Sequence, residues 1–117
     1  MARFENPHDF WGTYEGFHDG RRGRVTISDV KGDFPVPTFL VTFEDLDRDT
    51  RFRSLVQQTD RAAGRGHILR DVTLEEQGGD GSKSFALIML HTWNTRHLTT
   101  VSRWGGREFG GSYQRVG

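Results

Sequence analysis

The chain has no cysteine. Disulfides and thiolate metal sites are thereby excluded. It has no net charge either: sixteen basic residues balance sixteen acidic ones. Without a basic excess, nothing points to nucleic acid or to an anionic membrane surface as a partner. Neutrality also removes mutual repulsion, which permits self-association. Long apolar runs are missing. The longest, Phe85 to Leu90, is far too short to span a bilayer, and the N-terminus shows no signal-peptide core. A cytoplasmic location is the expectation. Helix signals are nearly absent as well. Apolar residues alternate with polar ones instead of recurring every three or four, and fifteen glycines are spread throughout.

What is present is strand chemistry. Val, Ile, Thr, Phe, Trp and Tyr cluster in short runs separated by Gly/Asp/Asn groups. Eight strands are predicted, at roughly 10–17, 22–30, 38–45, 50–57, 67–76, 83–92, 97–104 and 107–116. A lead-in over 1–9 precedes them. No repeat or domain boundary interrupts the 117 residues, so one domain is expected.

The turns set the register. Gly105-Gly106 reads as a tight hairpin, which places Trp104 opposite Arg107, Ser102 opposite Phe109, Thr100 opposite Gly111 and Leu98 opposite Tyr113. Asp19-Gly20 places Tyr14 opposite Val25 and Gly12 opposite Ile27. A turn near Asp47-Arg48 pairs Phe43 with Phe52, Gly78–Gly81 pairs Leu74 with Phe85, and Asn94-Thr95 pairs Trp93 with Arg96. The connections at 31–37 and 59–66 read as longer loops, the first because proline cannot donate to a ladder. Ala62-Ala63 in the second could start a short helical turn.

Each turn carries side-chain parity from one strand to the next. The inward face so traced holds Phe109, Gly111, Tyr113 and Arg115; Leu98, Thr100, Ser102 and Trp104; Phe85, Leu87, Met89, His91 and Trp93; and Ile68, Arg70, Val72 and Leu74. Tyr14, Val25 and Ile27 belong to the first hairpin. Phe39, Val41, Phe43, Phe52, Ser54 and Val56 belong to the second. Independent turns agree on one apolar face. The fold class predicted is all-β: an eight-stranded antiparallel up-and-down β-barrel, which leaves no exposed edge. Such a barrel is filled by side chains or holds one small ligand. A two-sheet sandwich is the alternative, disfavoured because short loops leave no room for Greek-key crossovers.

Gly12-Thr13-Tyr14 on the first strand and Arg115 on the last resemble the signature of the calycin superfamily of lipocalins, fatty-acid-binding proteins and avidins. In that superfamily a Gly-x-aromatic meets a basic residue across the closed end of the barrel. Eight strands without a flanking helix look most like the avidin branch. The opening reads Gly12-Thr13-Tyr14-Glu15-Gly16, with tyrosine for the family's tryptophan and without the asparagine that helps grip biotin. Biotin binding is not implied.

The residues expected to line a ligand site are Tyr14, Phe43, Phe52, Arg70, Met89, His91, Ser102, Trp104 and Tyr113. An inward guanidinium is expensive to bury unpaired, so Arg70 needs an inward acid, backbone carbonyls or an anionic ligand, unless it reaches water at a strand end. Trp104, Phe109, Phe43, Phe52, Phe85 and Leu74 gather toward the end carrying the short turns. They form either a pocket mouth or ordinary core. None of the five histidines has metal-ligand spacing, and no cofactor fingerprint appears. For catalysis there is no nucleophile–base–acid series and no close pair of inward carboxylates. Asp29 is a lone candidate base. Ala86, Ile88 and Leu90 read as an apolar outer stripe, which suggests a homodimer through the sixth strand.

Three functions follow. The first is a small-molecule-binding barrel for an apolar or amphipathic ligand, with an anionic one included. The second is an enzyme (isomerase, cyclase or hydrolase) using the same lumen. The third is a filled-barrel interaction domain.

Overall fold

A computed structural model describes residues 11–32, 38–57, 67–77, 84–94, 96–104 and 106–117; the side chains of 67–71, 84, 85, 89 and 91–94 lie outside that description. Eight strands follow in order: β1 Gly12–His18, β2 Arg21–Lys31, β3 Thr38–Asp45, β4 Thr50–Gln57, β5 His67–Gln77, β6 Ser84–Asn94, β7 His97–Trp104 and β8 Arg107–Arg115. Each pairs antiparallel with the next, and β8 closes on β1 with Tyr14 opposite Arg115 and His18 opposite Gly111. The up-and-down barrel is thus the observed architecture. No helix among the described residues is long and apolar enough to cross a membrane.

Turn chemistry explains the register. Asp19 and Gly20 take φ of 48° and 76°, the left-handed pair that a two-residue hairpin needs. The pairs Tyr14–Val25, Phe43–Phe52, Leu74–Phe85 and all four across β7 and β8 form as the sequence predicts. On the outside, Arg24 bridges Glu15 at 3.0 Å and Glu44 at 3.6 Å, a half-buried ladder whose net contribution is small because water still screens it.

Two irregularities correct the parity. In β2 the register shifts between Ser28 and Lys31, and Asp29 sits there at φ 52°. The bulge turns Val30 inward, 3 % exposed, and leaves Asp29 exposed, so Asp29 is not an inward base. In β6 the register shifts between Leu87 and Met89 and again near Asn94. Leu87 and Leu90 are then both buried, at 1 % and 0 %. Leu90 belongs to the core and not to an outer stripe, which leaves only the half-buried Ala86 and Ile88 of that group outside the core cluster. The second shift pairs Asn94 with His97 and Thr92 with Leu98, in place of Trp93 with Arg96. The alternation that grouped Met89 and His91 with Leu87 is interrupted at the same point. The lead-in, Phe10 and Ala62-Ala63 lie outside the described residues.

The core runs through the barrel as Tyr14, Val25, Ile27, Val30, Phe39, Val41, Leu74, Leu87, Leu98, Tyr113 and their neighbours. Each large side chain removed from water contributes roughly 1.5–3 kcal/mol. These described side chains pack together in the lumen. An open region lies at one end.

Candidate functional site

The β1–β2, β3–β4 and β7–β8 hairpins turn at the end of the barrel opposite Gly12. There the strands open on a cavity of about 180 Å³. Phe43, Phe52, Trp104 and Phe109 wall it. Phe52 and Trp104 meet edge to face, with centroids 5.6 Å apart at 64°. Trp104 is 39 % exposed at the mouth.

The polar side of the cavity is built around Asp45. Its Oδ1 accepts from the Asp47 and Arg48 backbone N–H groups at 3.1 and 3.0 Å. Those bonds shape the β3–β4 turn, as aspartate does at turn starts. Its Oδ2 accepts from Arg21 Nε at 2.8 Å and lies 3.2 Å from His18 Nε2. One carboxylate thus ties β1, β2 and the β3–β4 turn together. Burial works against its charged form, but the bonds from His18, Arg21 and the Arg48 backbone outweigh burial and hold the carboxyl below its ordinary value.

His18 is 1 % exposed and packs edge-on against Phe43 at 4.9 Å. With Nε2 on Asp45, its Nδ1 is buried without a partner among the described residues. That nitrogen is closed off by β2: a Cβ at Gly23 would lie 2.3 Å from it. The imidazole is held as a wall, not offered as a base. Below it, Tyr113 is fully buried, and burial first, with Asp45 adding, pushes its phenol up to about 12. Tyr113 fits because residue 111 is glycine; a Cβ there would meet its hydroxyl at 2.4 Å.

Of the residues expected from sequence, Phe43, Phe52 and Trp104 stand together on the cavity. Tyr14 does not. It is 1 % exposed near the opposite end, under the Arg115 guanidinium at 5.7 Å from its ring centroid. Arg115 also donates to the Trp11 carbonyl at 2.6 Å, so the glycine–aromatic–basic contact seen in the sequence is formed. Ser102 and Tyr113 are buried in the lumen beneath the cavity and are not among its lining residues. The side chains of Arg70, Met89 and His91 lie outside the described residues, although Arg70 does pair with Met89 in register.

Comparison with known protein families, with characterised proteins and with solved structures finds no match to this chain. Function has to be read from the site itself.

Sequence reasoning missed His18, Asp45 and Glu76, which all line the cavity. The signal was there. Asp45 follows Phe43 by two, and Glu76 follows Leu74 by two, so both continue an inward series. Asp45 and Glu76 line the same cavity. No group of three or more His, Asp or Glu able to hold a metal occurs among the described residues.

Proposed function

We propose that the chain is a calycin-like barrel that binds a small apolar or amphipathic molecule at its turn end, with no reaction required. The cavity walled by Phe43, Phe52, Trp104 and Phe109 carries this reading. Binding sites of this kind are concave, mostly apolar and fixed by a few polar groups. Its volume of about 180 Å³ suits a single ring or a short branched chain. An engineered apolar cavity of about 150 Å³ takes benzene. Tyr14, Phe39, Leu98 and Tyr113 are buried in the lumen behind it, which favours a short ligand over a long lipid.

Titration with benzyl alcohol and cyclohexanol, followed by tryptophan emission, tests the reading. A saturable change in the wild type that disappears in Trp104→Phe supports it. Absence of saturation with both compounds, by emission and by ligand-observed NMR, refutes it.

A further inference from the structure

We infer that this cavity prefers a cation: a small alkylammonium whose charge lies between the aromatic walls and Glu76. The inference rests on the binding reading above and names the ligand class.

The charges around the cavity come in opposed pairs. Arg21 and Asp45 satisfy each other directly, at 2.8 Å. Arg48, on the exposed turn, and Glu76 then remain at the rim, one of each sign. Glu76 is half-buried, stands opposite Phe52 in the β4–β5 register, and its carboxylate has no hydrogen bond or ion pair among the described residues. Coulomb terms alone are thus nearly balanced between a cation and an anion.

The walls break the balance. Phe43, Phe52, Trp104 and Phe109 all line the cavity, and an aromatic ring offers a ligand over its face the negative side of its quadrupole. A cation gains from each ring face within reach, and an anion loses. A desolvated site strengthens both effects relative to water. The ring-sized volume also suits a compact alkylammonium, whose weakly hydrated methyl groups pack on aromatic faces.

Three isosteres separate the contributions: choline, the neutral 3,3-dimethylbutan-1-ol and the anionic 3,3-dimethylbutanoate. The inference expects choline to bind the wild type about five- to tenfold more tightly than the neutral alcohol, and the carboxylate to bind least. Glu76→Gln should cut the choline preference to about twofold, with no change for the alcohol; Arg48→Gln should raise it. Added salt should narrow it as well. Equal binding of choline and the alcohol overturns the inference while the binding reading stands. Preference for the carboxylate overturns it too, and makes Arg48 the anchor. If Glu76→Gln keeps the full preference, the role of Glu76 is refuted. If none of the three binds, the inference and the binding reading fall together.

Discussion

The two ends of this barrel solve the same problem differently. At the end where β1 begins, Tyr14, Ile27, Val30, Phe39 and Leu98 fill the lumen, and one cation, Arg115, covers a ring. At the turn end four aromatic residues wall a cavity, and a buried carboxylate ties β1, β2 and the β3–β4 turn together. The first end is held by volume and the second by hydrogen bonds. An apolar core stabilises without directing anything to a particular place, whereas Asp45 fixes four donors at defined positions. A hollow end needs that second kind of support, since a ring that borders a cavity has packing partners on fewer sides than a ring in the core.

The largest test of this contrast is a pair of truncations. Phe39→Ala should lower the unfolding free energy by about 3–5 kcal/mol, the usual loss for a buried phenylalanine. Phe52→Ala should cost about 1–2 kcal/mol, because one side of its ring already borders the cavity. Urea unfolding measures both, and equal losses would show that the turn end is packed as tightly as the other.

Next in size is Asp45→Asn, expected to cost about 2–3 kcal/mol at neutral pH through weakened charge-assisted bonds. Asp45 is held below its ordinary value, so its contribution is complete above the ordinary carboxylate range and disappears as pH falls through the lowered value. Wild type and variant stabilities should therefore converge on acidification. A constant gap down to acid pH would mean that the charge is not what matters.

The smallest effect is spectroscopic. Burial raises both tyrosines, Tyr113 to about 12, while Arg115 partly offsets the rise at Tyr14. In the folded protein both phenols should ionise above the ordinary tyrosine value. A raised phenol contributes stability that is complete below the ordinary tyrosine value and disappears as pH rises toward the folded one. Alkaline unfolding and phenolate absorbance should then rise together. Arg115→Ala should move Tyr14 higher and leave Tyr113 where it is; a shift at Tyr113 would show that the two ends are coupled.

Much of this contrast could be read from the sequence, and unevenly. Asp19-Gly20 and Gly105-Gly106 carry their turn geometry in their own residue types, so the register on either side of them followed. The bulges did not follow, because strict alternation has no place for an extra residue. Yet Ile27-Ser28-Asp29-Val30 spaces its apolar residues by three around an aspartate, a residue that tolerates left-handed backbone. The same spacing separates Leu87 from Leu90. The site was legible in its aromatics and not in its polar half. His18 and Asp45 are 27 positions apart and meet only after β1, β2 and β3 pair. Nor does any inward pattern distinguish a filled lumen from a hollow one, since the same residues serve both.

Gly23 and His18 share one consequence. Neither position has room of its own: the imidazole at 18 occupies the space a methyl group at 23 would claim. The two therefore vary as a single quantity. A lineage that places alanine at 23 is bound to shrink or turn the ring at 18. With that ring goes one of the four bonds to Asp45, and with it part of the support of the hollow end. The smallest residue in this wall thus governs the fate of the carboxylate carried by its cross-strand partner.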